Sequence, residues 1–128
     1  MAKILVAEDE KQIADMISFK LSNAGHHVVR APDGEQAMIF ASRELPDLIL
    51  LDVMMPGLGG LEVLRRLKND PALRTVPVIM VSAKGHERDV LSGLRGGATD
   101  YIVKPFSLKE LSARVELALR KEPPATMS

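Results

Sequence analysis

Five short apolar runs alternate with five segments of helical spacing, and few folds accept that alternation. The runs are Ile4-Leu5-Val6-Ala7, His27-Val28-Val29, Leu48-Ile49-Leu50-Leu51, Val76-Pro77-Val78-Ile79-Met80-Val81 and Tyr101-Ile102-Val103. Several are continuously apolar and rich in β-branched residues, as parallel strands buried on both faces must be. Between them Ile13, Met16, Ile17 and Leu21 share one helical face, as do Ala37, Phe40 and Ala41. Leu61, Leu64 and Leu67 make a third stripe, Val90, Leu91, Leu94 and Ala98 a fourth, and Leu108, Leu111, Val115 and Leu119 a fifth. Asp33 with Gln36, and Ser107 with Glu110, have capping-box spacing, while Gly25, Gly34 and Gly96-Gly97 stand where helices should start or stop. The expected fold is α/β: a doubly wound, five-stranded parallel sheet of flavodoxin-like order 2-1-3-4-5, with helices on both faces.

With 128 residues there is room for one domain, expected over 1–121, followed by a tail or the start of a linker over 122–128, where Pro123-Pro124 cannot continue a helix. Only 3% of residues are aromatic, so the core must be aliphatic. Seventeen basic residues balance seventeen acidic ones, which gives no broad electrostatic grip on nucleic acid or an anionic membrane. Cysteine is absent, excluding disulfides, thiolate metal sites and a cysteine nucleophile. The first apolar run is too short for a signal peptide and nothing approaches a membrane span, so the expected location is the cytoplasm.

In such sheets ligands bind beyond the carboxyl ends of the strands. Glu8 and Asp9 follow the first run, Asp52 the third, Ser82 the fourth, and Lys104-Pro105-Phe106 the fifth. Three carboxylates brought together repel, by about 4 kcal/mol for a pair 4 Å apart at an effective dielectric near 20, unless a cation joins them. Oxygen-only ligands without His or Cys select a hard ion, and a few carboxylates with open positions suit Mg²⁺. A carboxylate nucleophile beside Mg²⁺ and a lysine is an arrangement for phosphoryl transfer.

Singly, each residue has a plainer reading. Asp9 could cap the first helix with Gln12, Lys104 could be a solvated loop lysine, Ser82 a helix cap, and Tyr101 a core residue. All of these would have to hold together at adjacent strand ends. His26, His27 and His86 make no metal-ligand set and suit surface or turn roles. Gly57-Leu58-Gly59-Gly60 lacks the phosphate-loop pattern and reads as a turn into a helix.

The pair Glu8-Asp9, the stretch Leu50-Leu51-Asp52-Val53-Met54-Met55-Pro56-Gly57, Val81-Ser82-Ala83-Lys84, and Gly97-Ala98-Thr99-Asp100-Tyr101-Ile102-Val103-Lys104-Pro105-Phe106 together resemble the response-regulator receiver family of two-component signalling. The resemblance runs from about residue 2 to about residue 121. It implies that Asp52 is the phosphoacceptor, taking its group from the phosphohistidine of a sensor histidine kinase or a phosphotransfer protein. Asp9 and Asp52 would ligate Mg²⁺ directly, Met54 through its backbone carbonyl and Glu8 through water. Lys104 would pair with Asp52 and then with the phosphoryl oxygens, across a cis Lys104–Pro105 bond. Ser82 would bond a phosphoryl oxygen, and Tyr101 would be the aromatic switch moving inward with it.

The resemblance further implies a switching face built from the fourth helix, fifth strand and fifth helix, through which a phosphorylation-dependent homodimer could form. Such a domain assists its own phosphorylation and dephosphorylation but is not an enzyme, and it binds neither nucleic acid nor membrane directly. Phe106 to Val115 resembles receivers of winged-helix transcription factors, which often carry Asp where this chain has Thr99. A phosphatase with an Asp nucleophile would want a second acid at Met54, and a flavin module would not tolerate Glu8-Asp9-Glu10 in its phosphate loop. The chain is either a stand-alone regulator or the receiver of a longer protein.

Overall fold

The computed structural model describes residues 1–83, 85 and 87–120. Lys84 and His86, and the expected tail, lie outside the described residues. The elements are β1 (Lys3–Ala7), α1 (Lys11–Asn23), β2 (His27–Ala31), α2 (Gly34–Glu44), β3 (Leu48–Asp52), α3 (Gly60–Lys68), β4 (Val78–Ser82), α4 (Glu87–Arg95), β5 (Asp100–Val103) and α5 (Leu108–Arg120). All neighbouring strands pair in parallel, in the order β2-β1-β3-β4-β5. This is the architecture and order expected from the sequence.

Side chains alternate across each strand, so the sheet divides its apolar residues between two cores. Ile4, Val6, Leu48, Leu50, Ile79, Val81 and Ile102 face Ile17 and Leu21 of α1 and Leu111 and Val115 of α5. Leu5, Ala7, Ile49, Leu51, Met80 and Tyr101 face the other way, onto Ala37 and Ala41 of α2 and Val63, Leu64 and Leu67 of α3. Strands β3 and β4 are buried along their whole length, which explains their unbroken apolar character.

The expected caps are present. Asp33 accepts from the Gln36 amide at 2.8 Å, and Ser107 Oγ from the Glu110 amide at 2.9 Å. Asp9 does not cap α1, whose N-cap is Glu10 without a side-chain bond. The helical stripes are narrower than their spacing suggested. Met16, Leu61, Leu91 and Leu94 are all substantially exposed, and α4 instead buries Gly93. His26 stands in the turn between α1 and β2, as expected, but its side chain is only 6% exposed, taking the Ala2 amide on Nδ1 and meeting Glu116 through Nε2 at 2.7 Å. No helix among the described residues is long and apolar enough to cross a membrane.

Candidate functional site

The strand order reverses between β1 and β3, and the registers bring the carboxyl ends level. Ala7 lies beside Leu51, Asp52 beside Val81, and Ser82 beside Val103. Asp52 and Ser82 end their strands, and Glu8 and Lys104 each stand one residue past theirs, so the four meet at one edge. Glu8, Asp52 and Ser82 are 4%, 3% and 0% exposed. Burying two ionised carboxyls is costly unless a cation partners them or one of them keeps a proton.

Lys104 is that partner. Its Nζ lies 3.0 Å from Asp52 Oδ2, 3.1 Å from Glu8 Oε1 and 3.1 Å from Glu10 Oε1. Burial alone would lower the lysine's pKa, but its hydrogen bonds to Asp52, Glu8 and Glu10 outweigh that and hold it above the ordinary lysine range. Glu8 moves the other way for an acid: burial first, then the neighbouring Asp52 carboxyl, push it from an ordinary 4.5 up to about 7. Asp52 is oriented from its other oxygen as well, because the Met54 amide donates to Oδ1 at 3.0 Å. The Lys104–Pro105 bond is cis.

Glu8, Glu10 and Asp52 each offer an oxygen within 4.8 Å of the others. Asp9, which the sequence reading grouped with Glu8, is exposed and stands outside this trio. The reason is a bend at Asp9. Glu8 continues the β1–β2 ladder for one more bond, its amide donating to Ala31 at 3.1 Å, and the chain then bends, so that the carboxylates of Glu8 and Glu10 both reach Lys104. The Glu10 amide then donates to Glu8 Oε2 at 3.1 Å, closing the turn into α1. The bend breaks the strand period, so no sequence signal singled out Glu10.

Tyr101 is 8% exposed, and its ring lies under α4. A Cβ on Gly93 would meet Tyr101 Cδ2 at 3.0 Å and Cε2 at 3.2 Å, so the glycine makes room for the ring. Met54 exposes its side chain (56%), leaving its backbone as the part that addresses Asp52. The trio is all oxygen, and three carboxylates face one ammonium, so the cluster is negative when all are ionised. That donor set fits a hard divalent cation such as Mg²⁺.

Comparison with known proteins agrees with this geometry. The response regulator receiver domain model matches residues 4–116. The phosphate regulon transcriptional regulatory protein PhoB of Escherichia coli (strain K12) is 44% identical over 122 residues, 95% of this chain and 53% of that protein. The chain spans about half the length of the curated relatives it matches. Among solved structures, the Francisella response regulator 1452 receiver domain superposes with a TM-score of 0.89 at 36% identity, covering 94% of this chain and 98% of that one. The BeF3-activated N-terminal receiver domain of Klebsiella pneumoniae RstA gives 0.86 at 33% identity, covering 93% and 99%. Five parallel strands in this order, an aspartate at the end of β3 bonded to the lysine after β5, and a family match over most of its length make this chain a member of the response regulator receiver domain family.

Proposed function

We propose that this domain accepts a phosphoryl group on Asp52 from the phosphohistidine of a sensor histidine kinase, and that the α4–β5–α5 face carries the result to a partner. The observation that carries this reading is the Asp52 carboxylate, 3% exposed yet held at both oxygens, by Lys104 at 3.0 Å and the Met54 amide at 3.0 Å. An Asp52 oxygen would attack phosphorus, the bond from phosphorus to the imidazole nitrogen would break, and the nitrogen would keep its electron pair. The Lys104 ammonium would follow the negative charge from the carboxylate to the phosphoryl oxygens. Ser82, at the adjacent strand end, is placed to donate its hydroxyl. Drawing Ser82 toward the new group would alter the packing around Tyr101 and α4, which is how a local charge could reach the outer face. Each molecule ends modified, so the domain is a switch and not an enzyme.

Glu8, Asp9, Asp52 and the Met54 carbonyl would hold Mg²⁺, with Glu10 on the rim of the same site. The ion would neutralise charge building on the transferring oxygens. Incubation with Mg²⁺ and a small acyl phosphate should add one base-labile phosphoryl group, and Asp52→Asn should lose it entirely. Undiminished labelling of Asp52→Asn would remove Asp52 from this role.

Mg²⁺ should also raise the melting temperature, because an ion bound only by the folded state stabilises it, by about 2.7 kcal/mol at a hundredfold excess over Kd. Asp9→Ala is expected to lose most of that gain and Glu10→Ala to keep most of it. Asp9 adjoins Glu8 with an exposed carboxylate, whereas Glu10 is by far the most exposed of the three carboxylates that Lys104 holds. The reverse pattern would place the ion in the Glu8–Glu10–Asp52 trio without Asp9.

A further inference from the structure

Helix α4 buries very little of itself. Of its nine residues only Gly93 is buried, Val90 is partly so, and Leu91 and Leu94 stay exposed. A helix in a folded protein is stabilised mainly by the face it packs away, so α4 depends on what Gly93 touches. That neighbour is the ring of Tyr101. A Cβ on Gly93 would come within 3.0 Å of Cδ2 and 3.2 Å of Cε2, closer than carbon atoms rest, while Met80 Cγ at 3.4 Å is near ordinary contact. The missing side chain is a notch in α4, and the tyrosine occupies it.

The helix cannot easily step back from the ring at this point. The Gly93 carbonyl accepts the Ala98 amide at 3.1 Å, and the Leu94 carbonyl accepts the amide of Gly97, whose φ is +107, also at 3.1 Å. These are the paired bonds of a Schellman turn. The next amide, that of Thr99, joins the sheet at the Val78 carbonyl, 2.7 Å away. Gly93 is thus tied through one short turn to the strand that carries Tyr101. The ring is the movable partner, because β5 is an edge strand and rotation about χ1 can carry the ring toward solvent. We propose that Gly93 decides where the Tyr101 ring stands: its bare Cα admits the ring beneath α4, and a methyl there holds the ring outside. In the function proposed above, Tyr101 and α4 are the route from Asp52 to the outer face. Gly93 is then a positioning residue for that route, a role that rests on that reading, whereas the seating of the ring does not.

Tyr101 is the single tyrosine and the chain has no tryptophan, so tyrosine fluorescence reports this ring alone. At 8% exposure it should be poorly quenched by acrylamide in the wild type. In Gly93→Ala the quenching constant should rise most of the way to that of the chain unfolded in urea. Melting temperatures separate the ring from the helix. Gly93→Ala should lower the melting temperature of the wild type and raise that of Tyr101→Ala, where nothing opposes a helix's preference for alanine over glycine. Unchanged quenching, or an equal fall in both backgrounds, would overturn the proposal. Should Gly93→Ala alone not fold, folding of the double variant supports the proposal and its failure to fold refutes it. For the route, beryllofluoride with Mg²⁺ should change amide exchange across 87–95 in the wild type and leave it nearly unchanged in Gly93→Ala. Both proteins should still be labelled at Asp52 by a small acyl phosphate at similar rates. Equal exchange changes in both would remove Gly93 from the route. No change in the wild type would remove the reading that Asp52 drives this face, and the role of Gly93 in it, while quenching and melting still decide the seating of the ring.

Discussion

Lys104→Met is expected to lower the stability of the metal-free protein by about 3 kcal/mol near pH 8, the scale on which removing one partner of a buried ion pair is felt. The substitution leaves two buried carboxyls, Glu8 and Asp52, with no cation between them, since Nζ is 3.0 Å from one and 3.1 Å from the other. For a chain of this size the loss corresponds to a fall of about 10 °C in melting temperature. Glu8 sets the pH dependence. Its folded pKa, about 7, lies above its ordinary 4.5. Between those values the folded state binds a proton that the unfolded state does not, so acidification through about pH 7 stabilises the fold, and that contribution is lost as pH rises. Without the lysine, Glu8 holds its proton more tightly still, so the deficit of Lys104→Met should shrink on going from about pH 8 to about pH 6. Melts in a chelator at both pH values check this. Equal melting temperatures of wild type and variant near pH 8 would mean that the ammonium does not neutralise the pocket.

The parts of this structure legible in the sequence are those governed by period. Buried parallel strands must be continuously apolar, so β3 and β4 announced themselves, and the alternation with helices implied a parallel doubly wound sheet, whose order 2-1-3-4-5 is that of the common five-strand form. Asp52, Ser82 and Lys104 could be placed at one edge because strand ends are where such a sheet presents polar groups. Less visible was anything decided by half a turn or by contact distance. Met16, Leu91 and Leu94 have core spacing yet stay exposed, because the sheet covers only a narrow stripe of each helix. Asp9 and Glu10 are adjacent acids, and only the bend between β1 and α1 decides that Glu10 turns in beside Glu8. The contact of Glu35 with the β3–α3 loop, where its Oε2 accepts the Leu58 amide at 3.1 Å, could not be found from its neighbours in sequence. Its partner is 23 residues away, and the run Gly57-Leu58-Gly59-Gly60 read as one turn into a helix, although its glycines have different reasons to be there.

Those reasons separate sharply at Gly59 and Gly60, which makes the pair a test of how the acceptor strand is joined to α3. Gly60→Ala is expected to destabilise the protein by about 2–4 kcal/mol, by overpacking together with a strained backbone hydrogen bond. The new Cβ would overlap the Asp52 carbonyl oxygen and lie 2.7 Å from Val53 Cα and 2.9 Å from the Asp52 carbonyl carbon. Every atom it meets is backbone, so no rotamer change relieves it. Helix α3 would have to retreat from β3, yet Val63, Leu64 and Leu67 on that helix are each 1% exposed and cannot leave the core cheaply. The usual gain of about 0.5–1 kcal/mol for alanine over glycine in a helix is too small to offset this. At Gly59 the nearest atom to an added Cβ is the Val53 carbonyl oxygen at 3.8 Å, an ordinary contact, and the backbone φ of −71 suits any residue. Gly59→Ala therefore forfeits only the modest N-cap preference for glycine over alanine, under about 1 kcal/mol. Urea titrations of both variants measure the difference directly. The close approach of α3 to the Asp52 backbone is refuted if Gly60→Ala unfolds within about 1 kcal/mol of Gly59→Ala.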